Sequence, residues 1–264
     1  MKRQHVSLPI AVVAAVGSIF IVAPVMALLV RVPWGHLLTE LSSQDSVNAL
    51  RISLMSSLLA TLLAVALGVP LAWMLARGPR SLTQFIRPLV TLPLVLPPTV
   101  AGLALLALLG RNGVIGSLIF QATGWAMPFT FMAVVAAGVF VGMPFLVLVV
   151  ESGFAQLPRE VEEAAETDGA QANQIFLNVA VPQVRGSIVT GAILAWARAL
   201  GEFGAALTFA GSMPGITRTL PMQVYVALES NLANAYALSV VLIVVSVTVL
   251  YVMRSELMSV FRNA

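Results

Sequence analysis

Long apolar stretches constrain this chain more than any other feature of its sequence. The first, Leu8–Val30, contains no charged side chain. A helix of that length rises about 35 Å, enough to cross the hydrocarbon core of a membrane. Lys2 and Arg3 precede it, as in a signal peptide, but the apolar part of a signal peptide has only about 7 to 15 residues. We therefore interpret this stretch as an uncleaved first span.

Five further apolar stretches follow, over about 54–76, 88–110, 128–150, 188–211 and 235–253. Of all residues, 59% are hydrophobic and 9% are charged, whereas about a quarter are charged in a soluble domain. The sequence therefore predicts an all-α membrane protein with six transmembrane helices in one domain over residues 1–264. The third stretch contains Pro93, Pro97 and Pro98. For it we favour a kinked structural helix over a break that lines a transport path.

The distribution of Lys and Arg predicts the orientation of the spans. If both termini lie on one side, nine of these residues fall on that side and four on the other, with Arg198 buried. Basic residues near span ends are retained in the cytoplasm. We therefore predict cytoplasmic termini, and the polar connection of about 151–187 should lie on the same side.

Residue types that are scarce in this chain exclude several kinds of chemistry. The sequence has no Cys, a single Lys at position 2 and only two His, His5 and His36, which lie far apart. A phosphate-binding loop needs a Lys after its glycines, so any ATP chemistry must belong to a partner. We expect no metal site and no cofactor bound by this chain. A net charge of +3 without basic clusters also argues against nucleic-acid binding.

The segment from Pro158 to Pro182 is the one long polar segment. Pro158 suits the start of a helix, the acidic residues behind it suit the positive helix end, and Gly169 suits its termination. One face of this helix carries mostly small side chains: Val161, Ala164, Ala165 and Asp168. A second helix should follow, with an apolar stripe and a polar face, until Pro182 stops it. The stripe comprises Ala172, Ile175, Phe176 and Val179, and the opposite face Gln171, Gln174 and Asn178.

This segment resembles the EAA loop of ABC importer permeases. The match consists of Glu163-Ala164-Ala165, then Gly169, then the run from Val179 to Pro182. The resemblance implies a type I ABC importer permease fold, with a coupling helix that docks on an ATPase subunit. It assigns the coupling role to six residues: Glu163, Ala164, Ala165, Asp168, Gly169 and Pro182. An acidic surface hairpin without a partner is the alternative reading of the same residues.

Within the fifth stretch, Arg198 and Glu202 lie four residues apart and should share a helical face. A charge at the membrane centre costs roughly 2.5 to 3.5 kcal/mol, so they should pair or face a cavity. Ala197, Gly201 and Ala205 would form a small-residue ridge beside them. Three roles stay open for Arg198, Gly201 and Glu202, namely packing, an anion path and a gate.

The region after Ala197 resembles the molybdate permease branch of the same family. The match includes Ala197 to Gly211, Met213-Pro214-Gly215 and Thr219-Leu220-Pro221. It implies a non-enzymatic permease subunit of the bacterial inner membrane, working as a homodimer with two ATPase subunits, which use ATP and Mg²⁺. A periplasmic oxyanion-binding protein would deliver molybdate, or alternatively tungstate or sulfate, and contact Gly215, Arg218 and Pro221.

Two other classes of protein fit parts of the sequence. An ion-coupled secondary transporter could use Arg198 and Glu202 for coupling, but such transporters commonly carry internal repeats, and none is evident here. A membrane scaffold without transport activity would show no substrate-stimulated ATPase activity in any reconstitution.

Overall fold

The structure is a computed structural model that describes residues 7–252. Across these residues the chain is helical, with no strand. The α-helices are α1 Leu8–Val30, α2 Leu37–Leu41, α3 Gln44–Arg77, α4 Arg80–Thr91, α5 Pro98–Leu109, α6 Gly116–Thr123, α7 Phe131–Gln156, α8 Arg159–Thr167, α9 Ala172–Gln174, α10 Val181–Gln183, α11 Arg185–Leu200, α12 Gly204–Ala210, α13 Leu220–Ser230 and α14 Leu232–Val252. A π-helix, Ile175–Ala180, joins α9 to α10.

Four of these helices, α1, α3, α7 and α14, are long and apolar enough to cross a membrane. Two bent helix pairs pass the same test, so the described chain has up to six spans if each pair counts as one. The all-α membrane fold is thus confirmed, while the cytoplasmic location of the termini stays a prediction. Lys2, Arg3, His5, Met253, Arg254 and Arg262, which entered the predictions, lie outside the described residues.

Small residues bring α3, α7 and α11 together at the centre of the bundle. A Cβ atom added to Gly138 would lie 2.9 Å from the Cβ of Ala60 on α3 and 3.3 Å from that of Ala199 on α11. A Cβ added to Gly142 would lie 2.8 Å from the carbonyl oxygen of Ala195. Helices in a membrane associate through such close packing because lipid removes the hydrophobic driving force.

The predicted third span is not one kinked helix. The segments Arg80–Leu94 and Pro98–Leu109 meet at 119°, which is a break, so the kinked-helix interpretation is wrong. Pro97 and Pro98 have no N–H to continue the backbone ladder. Pro97 precedes the first residue of α5, and its carbonyl oxygen accepts the N–H of Ala101.

The predicted fifth span is also interrupted. The helix α11 ends at Leu200 instead of continuing to Gly211, and α12 begins at Gly204. Glu202 separates them, because its Oε1 accepts the backbone N–H of Ala205 in the first turn of α12 at 2.7 Å. A carboxylate at this position favours the start of a new helix over continuation of the old one.

Candidate coupling site and charged pair

The polar segment forms the helix that the sequence predicted. Pro158 is the N-cap of α8, Glu160 and Glu162 lie in its first turn, and Asp168 is the C-cap. Gly169 follows with φ +89°, a left-handed conformation that costs an L-residue roughly 1 to 2 kcal/mol. The predicted termination at Gly169 is therefore confirmed, and its physical basis is the positive φ.

The helix α8 is held on the surface of the molecule. None of its residues is buried. Of the residues assigned to coupling, Glu163, Ala164, Asp168, Gly169 and Pro182 are exposed, while Ala165 is half-buried. These side chains are thus accessible to a partner, and their coupling role stays a prediction.

The segment after Gly169 is amphipathic, as predicted. Of the predicted stripe, Ile175 is buried and Phe176 and Val179 are half-buried, but Ala172 is exposed. The predicted polar residues Gln171, Gln174 and Asn178 are exposed. The predicted stop at Pro182 is wrong, because helical structure continues through Pro182 to Gln183. The six residues before α10, Ile175–Ala180, are π-helical, with their hydrogen bonds shifted to i→i+5. This altered register accommodates the proline before the chain turns by 76° into α11.

An ion pair that the sequence did not predict joins α8 to α3. At the last residue of α3, Arg77 donates from Nε to Glu162 Oε1 at 2.9 Å and Oε2 at 3.1 Å, and from Nη2 to Oε1 at 2.7 Å. Nη2 also donates to the carbonyl oxygen of Leu157, just after α7, at 2.8 Å. The two side chains are 14% and 15% exposed. Arg77 therefore contacts the ends of α3 and α7 and the first turn of α8 together.

An aromatic cluster lies directly beside this ion pair. Trp73 packs edge-on against Phe154 of α7, with ring centroids 4.9 Å apart, and lies 5.7 Å from Phe176 of the π-helix. The Arg77 guanidinium is 5.6 Å from the Trp73 ring centroid, in the range of a cation–π contact. We refer to Trp73, Arg77, Glu162 and the Leu157 carbonyl as the Arg77 cluster.

An open cleft of about 350 Å³ lies between α8, the end of α3 and the segment after Gly169. Its lining includes Trp73 and Arg77 from α3, and Arg159, Glu162, Glu163 and Glu166 from α8. Because this space is not filled by packed side chains, α8 is connected to the spans through a small set of contacts.

A second Arg–Glu pair lies at the same end of the bundle. Arg87 of α4 donates from Nε to Glu151 Oε1 of α7 at 3.1 Å, and the Arg87 side chain is 53% exposed. This pair does not involve α8. It therefore provides a natural comparison for the Arg77 cluster.

The predicted pairing of Arg198 with Glu202 is confirmed, with Nη1 of Arg198 2.6 Å from Oε2 of Glu202. Their predicted placement on one continuous helix is wrong, since Glu202 lies beyond the end of α11. Glu202 is 4% exposed, forms an ion pair with Arg198 and accepts a hydrogen bond from the Ala205 N–H. The Arg198 side chain is 32% exposed. The pair thus sits at a helix break with its cationic member open on one side.

The predicted ridge of Ala197, Gly201 and Ala205 is interrupted by the same break. Gly201 is exposed and caps α11. Ala205 belongs to α12 and is buried against α5, where a Cβ added to Gly102 would lie 2.6 Å from the Ala205 carbonyl oxygen. Close packing therefore occurs within this chain, between α12 and α5.

At the opposite end of the bundle, the segment after α12 is ordered by its own side chains. Arg218 donates to Ser212 Oγ at 3.2 Å, to the Ser212 carbonyl at 3.3 Å and to Gln223 Oε1 at 3.3 Å. Gly215 is exposed with φ +73°, and Pro221 occupies the first turn of α13. Among the three predicted contact residues, Gly215 is exposed, whereas Arg218 and Pro221 are half-buried.

This segment is attached to α3 through one buried hydrogen bond. The backbone N–H of Leu220, the first residue of α13, donates to Ser53 Oγ at 2.6 Å. Both residues are at most 2% exposed. The continuous helix α3 therefore contacts α13 near one end and α8 at the other.

A match to a protein-family model defines the class of protein to which this chain belongs. Residues 68–255 match the family model described as "Binding-protein-dependent transport system inner membrane component". The chain belongs to this family and is a multi-pass inner-membrane transport subunit, not an enzyme.

Individual relatives define the kind of transport subunit more narrowly. The chain is 41% identical over 236 residues to the molybdenum transport system permease protein ModB of Mycobacterium tuberculosis, covering 89% of each protein. It is 38% identical over 216 residues to the ModB protein of Azotobacter vinelandii, covering 81% of this chain and 95% of that protein. A bacterial alginate ABC transporter, crystallised with an alginate-bound periplasmic protein, has a similar fold, with a TM-score of 0.70, 15% identity and 93% of each chain covered.

Proposed function

We propose that this chain is the permease subunit of an ABC importer that moves molybdate into the cell after delivery by a periplasmic binding protein. The observation that carries the proposal is the 41% identity, over nearly nine-tenths of both chains, to a molybdenum transport permease. Membership in a family of binding-protein-dependent transport systems supports the part of the proposal in which a binding protein delivers the substrate.

The helix α8 serves as the coupling element in this proposal. Glu163, Ala164, Asp168 and Gly169 are exposed on or beside a helix that has no buried residue. Such a helix can enter a groove of a partner without unfolding. The partner ATPase binds ATP and Mg²⁺, since this chain has no phosphate-binding loop with the necessary Lys.

Two copies of the chain enclose the path. The helix α1 is apolar except for Ser18, and none of it is buried within one copy, so it is covered by lipid and by the second copy. Arg198 is the cation offered to the oxyanion, because its partner Glu202 is buried while part of Arg198 remains accessible. The break between α4 and α5 supplies irregular backbone of the kind that membranes tolerate beside a cavity.

The binding protein docks at the opposite end, on the segment that contains Gly215, Arg218 and Pro221. Arg218 acts there mainly by ordering the segment, since its guanidinium is already hydrogen-bonded to Ser212 and Gln223. Exposed Gly215 provides a place where a partner backbone can approach closely.

The test is ATP hydrolysis by the complete complex in liposomes, with the binding protein loaded with molybdate, tungstate or sulfate in turn. We expect molybdate-loaded protein to give the largest stimulation. Equal stimulation by the sulfate-loaded form would overturn the substrate assignment. No stimulation by any loaded form would overturn the assignment as an importer permease.

A further inference from the structure

We propose that Arg77 is the positioning residue that rigidly connects the coupling helix to the transmembrane bundle, so that movement of α8 is passed to α3 and α7. The inference rests on the proposed function, which it deepens by naming the contact that transmits the motion. Such a role requires a contact that is specific and stiff, and that is linked to the far end of the molecule.

The contact is specific because α8 has few other attachments. No α8 residue is buried, and within residues 7–252 its side chains form hydrogen bonds to another helix only through Glu162. The cleft between α8 and the end of α3 limits the packing between these two helices. The helix α8 also packs on the π-helix Ile175–Ala180. A displacement of α8 therefore acts on the bundle through Arg77, through this packing and through the two ends of its own chain.

The contact is stiff because of its geometry. A guanidinium that binds both carboxylate oxygens fixes the relative orientation of two groups, which a Lys ammonium does not. Here the same guanidinium also binds the Leu157 carbonyl and lies against the Trp73 ring. Trp73 in turn packs on Phe154 and Phe176. These aromatic contacts restrict the position of the Trp73 ring and therefore of the guanidinium beside it.

The contact also has a path to the other end of the molecule. Arg77 is the last residue of α3, which has 34 residues and is therefore about 50 Å long. Near its other end, Ser53 binds the first residue of α13. Movement that reaches α3 through Arg77 is thereby conveyed to the segment proposed to receive the binding protein.

Arg77→Ala in the complete complex separates this role from a structural one. We expect the variant to keep its ATPase subunit and to hydrolyse ATP, while molybdate imported per ATP falls about tenfold, within the usual range of coupling energies. For Arg77→Lys, molybdate import per ATP should lie between the values for wild type and Arg77→Ala, because Lys keeps the charge and loses the bidentate contact. Arg87→Ala is the matched control, and its molybdate import per ATP should stay within about twofold of wild type, because the Arg87 side chain is 53% exposed and its pair does not contact α8.

A chemical rescue tests the mechanical claim. The chain has no cysteine, so Arg77→Cys with Glu162→Cys creates the chain's only thiols. The double variant should be uncoupled until a short thiol crosslinker joins the two positions, and crosslinking should restore molybdate import per ATP. Coupling that stays low after crosslinking would overturn the proposal.

Two other outcomes also contradict the inference. If Arg77→Ala imports the wild-type amount of molybdate per ATP, the cluster does not transmit motion. If the variant loses its ATPase subunit, the pair belongs to the docking surface instead. Either result leaves the proposed function intact, since that function fails only if the wild-type complex shows no stimulation by loaded binding protein.

Discussion

The Arg198–Glu202 and Arg77–Glu162 pairs have similar chemistry, but they differ in how far apart their partners lie in the sequence. Arg198 and Glu202 are four residues apart, and their pair closes a break between two consecutive helices. Arg77 and Glu162 are 85 residues apart, and their pair joins a span to a surface helix. The difference teaches that a local pair can shape one element, whereas only a distant pair can connect elements that must move together.

The largest effect should come from Gly169→Asp, which disturbs α8 without touching either pair. Nothing lies within 4 Å of a Cβ at this position, so the change acts through the φ of +89° and through the added charge. We expect at least about a tenfold loss of ATP-dependent uptake, because strain of roughly 1 to 3 kcal/mol displaces the helix end. Gly186→Asp, also in open space, is the control. Unchanged uptake in Gly169→Asp would count against the coupling role of α8.

Arg198→Gln tests whether the local pair has a role in transport beyond shaping the break. Gln can still donate a hydrogen bond to Glu202, so the complex should assemble. Removing the cation should lower molybdate uptake about tenfold, which corresponds to 1.4 kcal/mol. Uptake is measured beside the amount of assembled complex. Loss of assembly would instead make the pair a packing element.

Arg218→Ala should have a smaller effect, confined to delivery of the substrate. The change removes three hydrogen bonds that order the segment before α13. We expect the concentration of loaded binding protein needed for half-maximal ATPase stimulation to rise about fivefold, as when a few contacts that organise an interface are lost. The basal ATPase rate should not change. A change in basal rate with no change in that concentration would refute the assignment.

Ser53→Ala should have the smallest effect on transport, and it tests whether the far end of α3 matters. The Leu220 N–H would lose its acceptor in a buried site, which costs roughly 1 to 3 kcal/mol of stability. We expect a lower melting temperature and about a twofold loss of coupled ATPase activity. Ser57→Ala is the control, since that buried hydroxyl bonds only within its own helix. Equal behaviour of the two variants would remove Ser53 from the proposed path.

The sequence predicted what depends on local patterns. The first span matched Leu8–Val30, and α8 began after Pro158 and ended before Gly169, because helix starts, stops and apolar length are read over a few residues. It also predicted that Arg198 and Glu202 would pair or face a cavity, since residues four apart can meet on one side of a helix.

What the sequence did not predict depends on distant contacts. The break at Glu202 was missed because an apolar run continues through it, and only the hydrogen bond to Ala205 shows that a new helix starts there. The Arg77–Glu162 pair was missed although Arg77 was recognised as a marker of orientation. Basic and acidic groups were expected on the same side of the membrane, but nothing in the sequence shows which of them meet across 85 residues.

The most direct measurement is uptake of labelled molybdate into liposomes that contain this chain, its ATPase subunit and, on the outside, the binding protein. We predict uptake only when all three proteins and internal ATP with Mg²⁺ are present. Uptake that persists without the ATPase subunit, or that follows an ion gradient instead of ATP, would contradict the proposal.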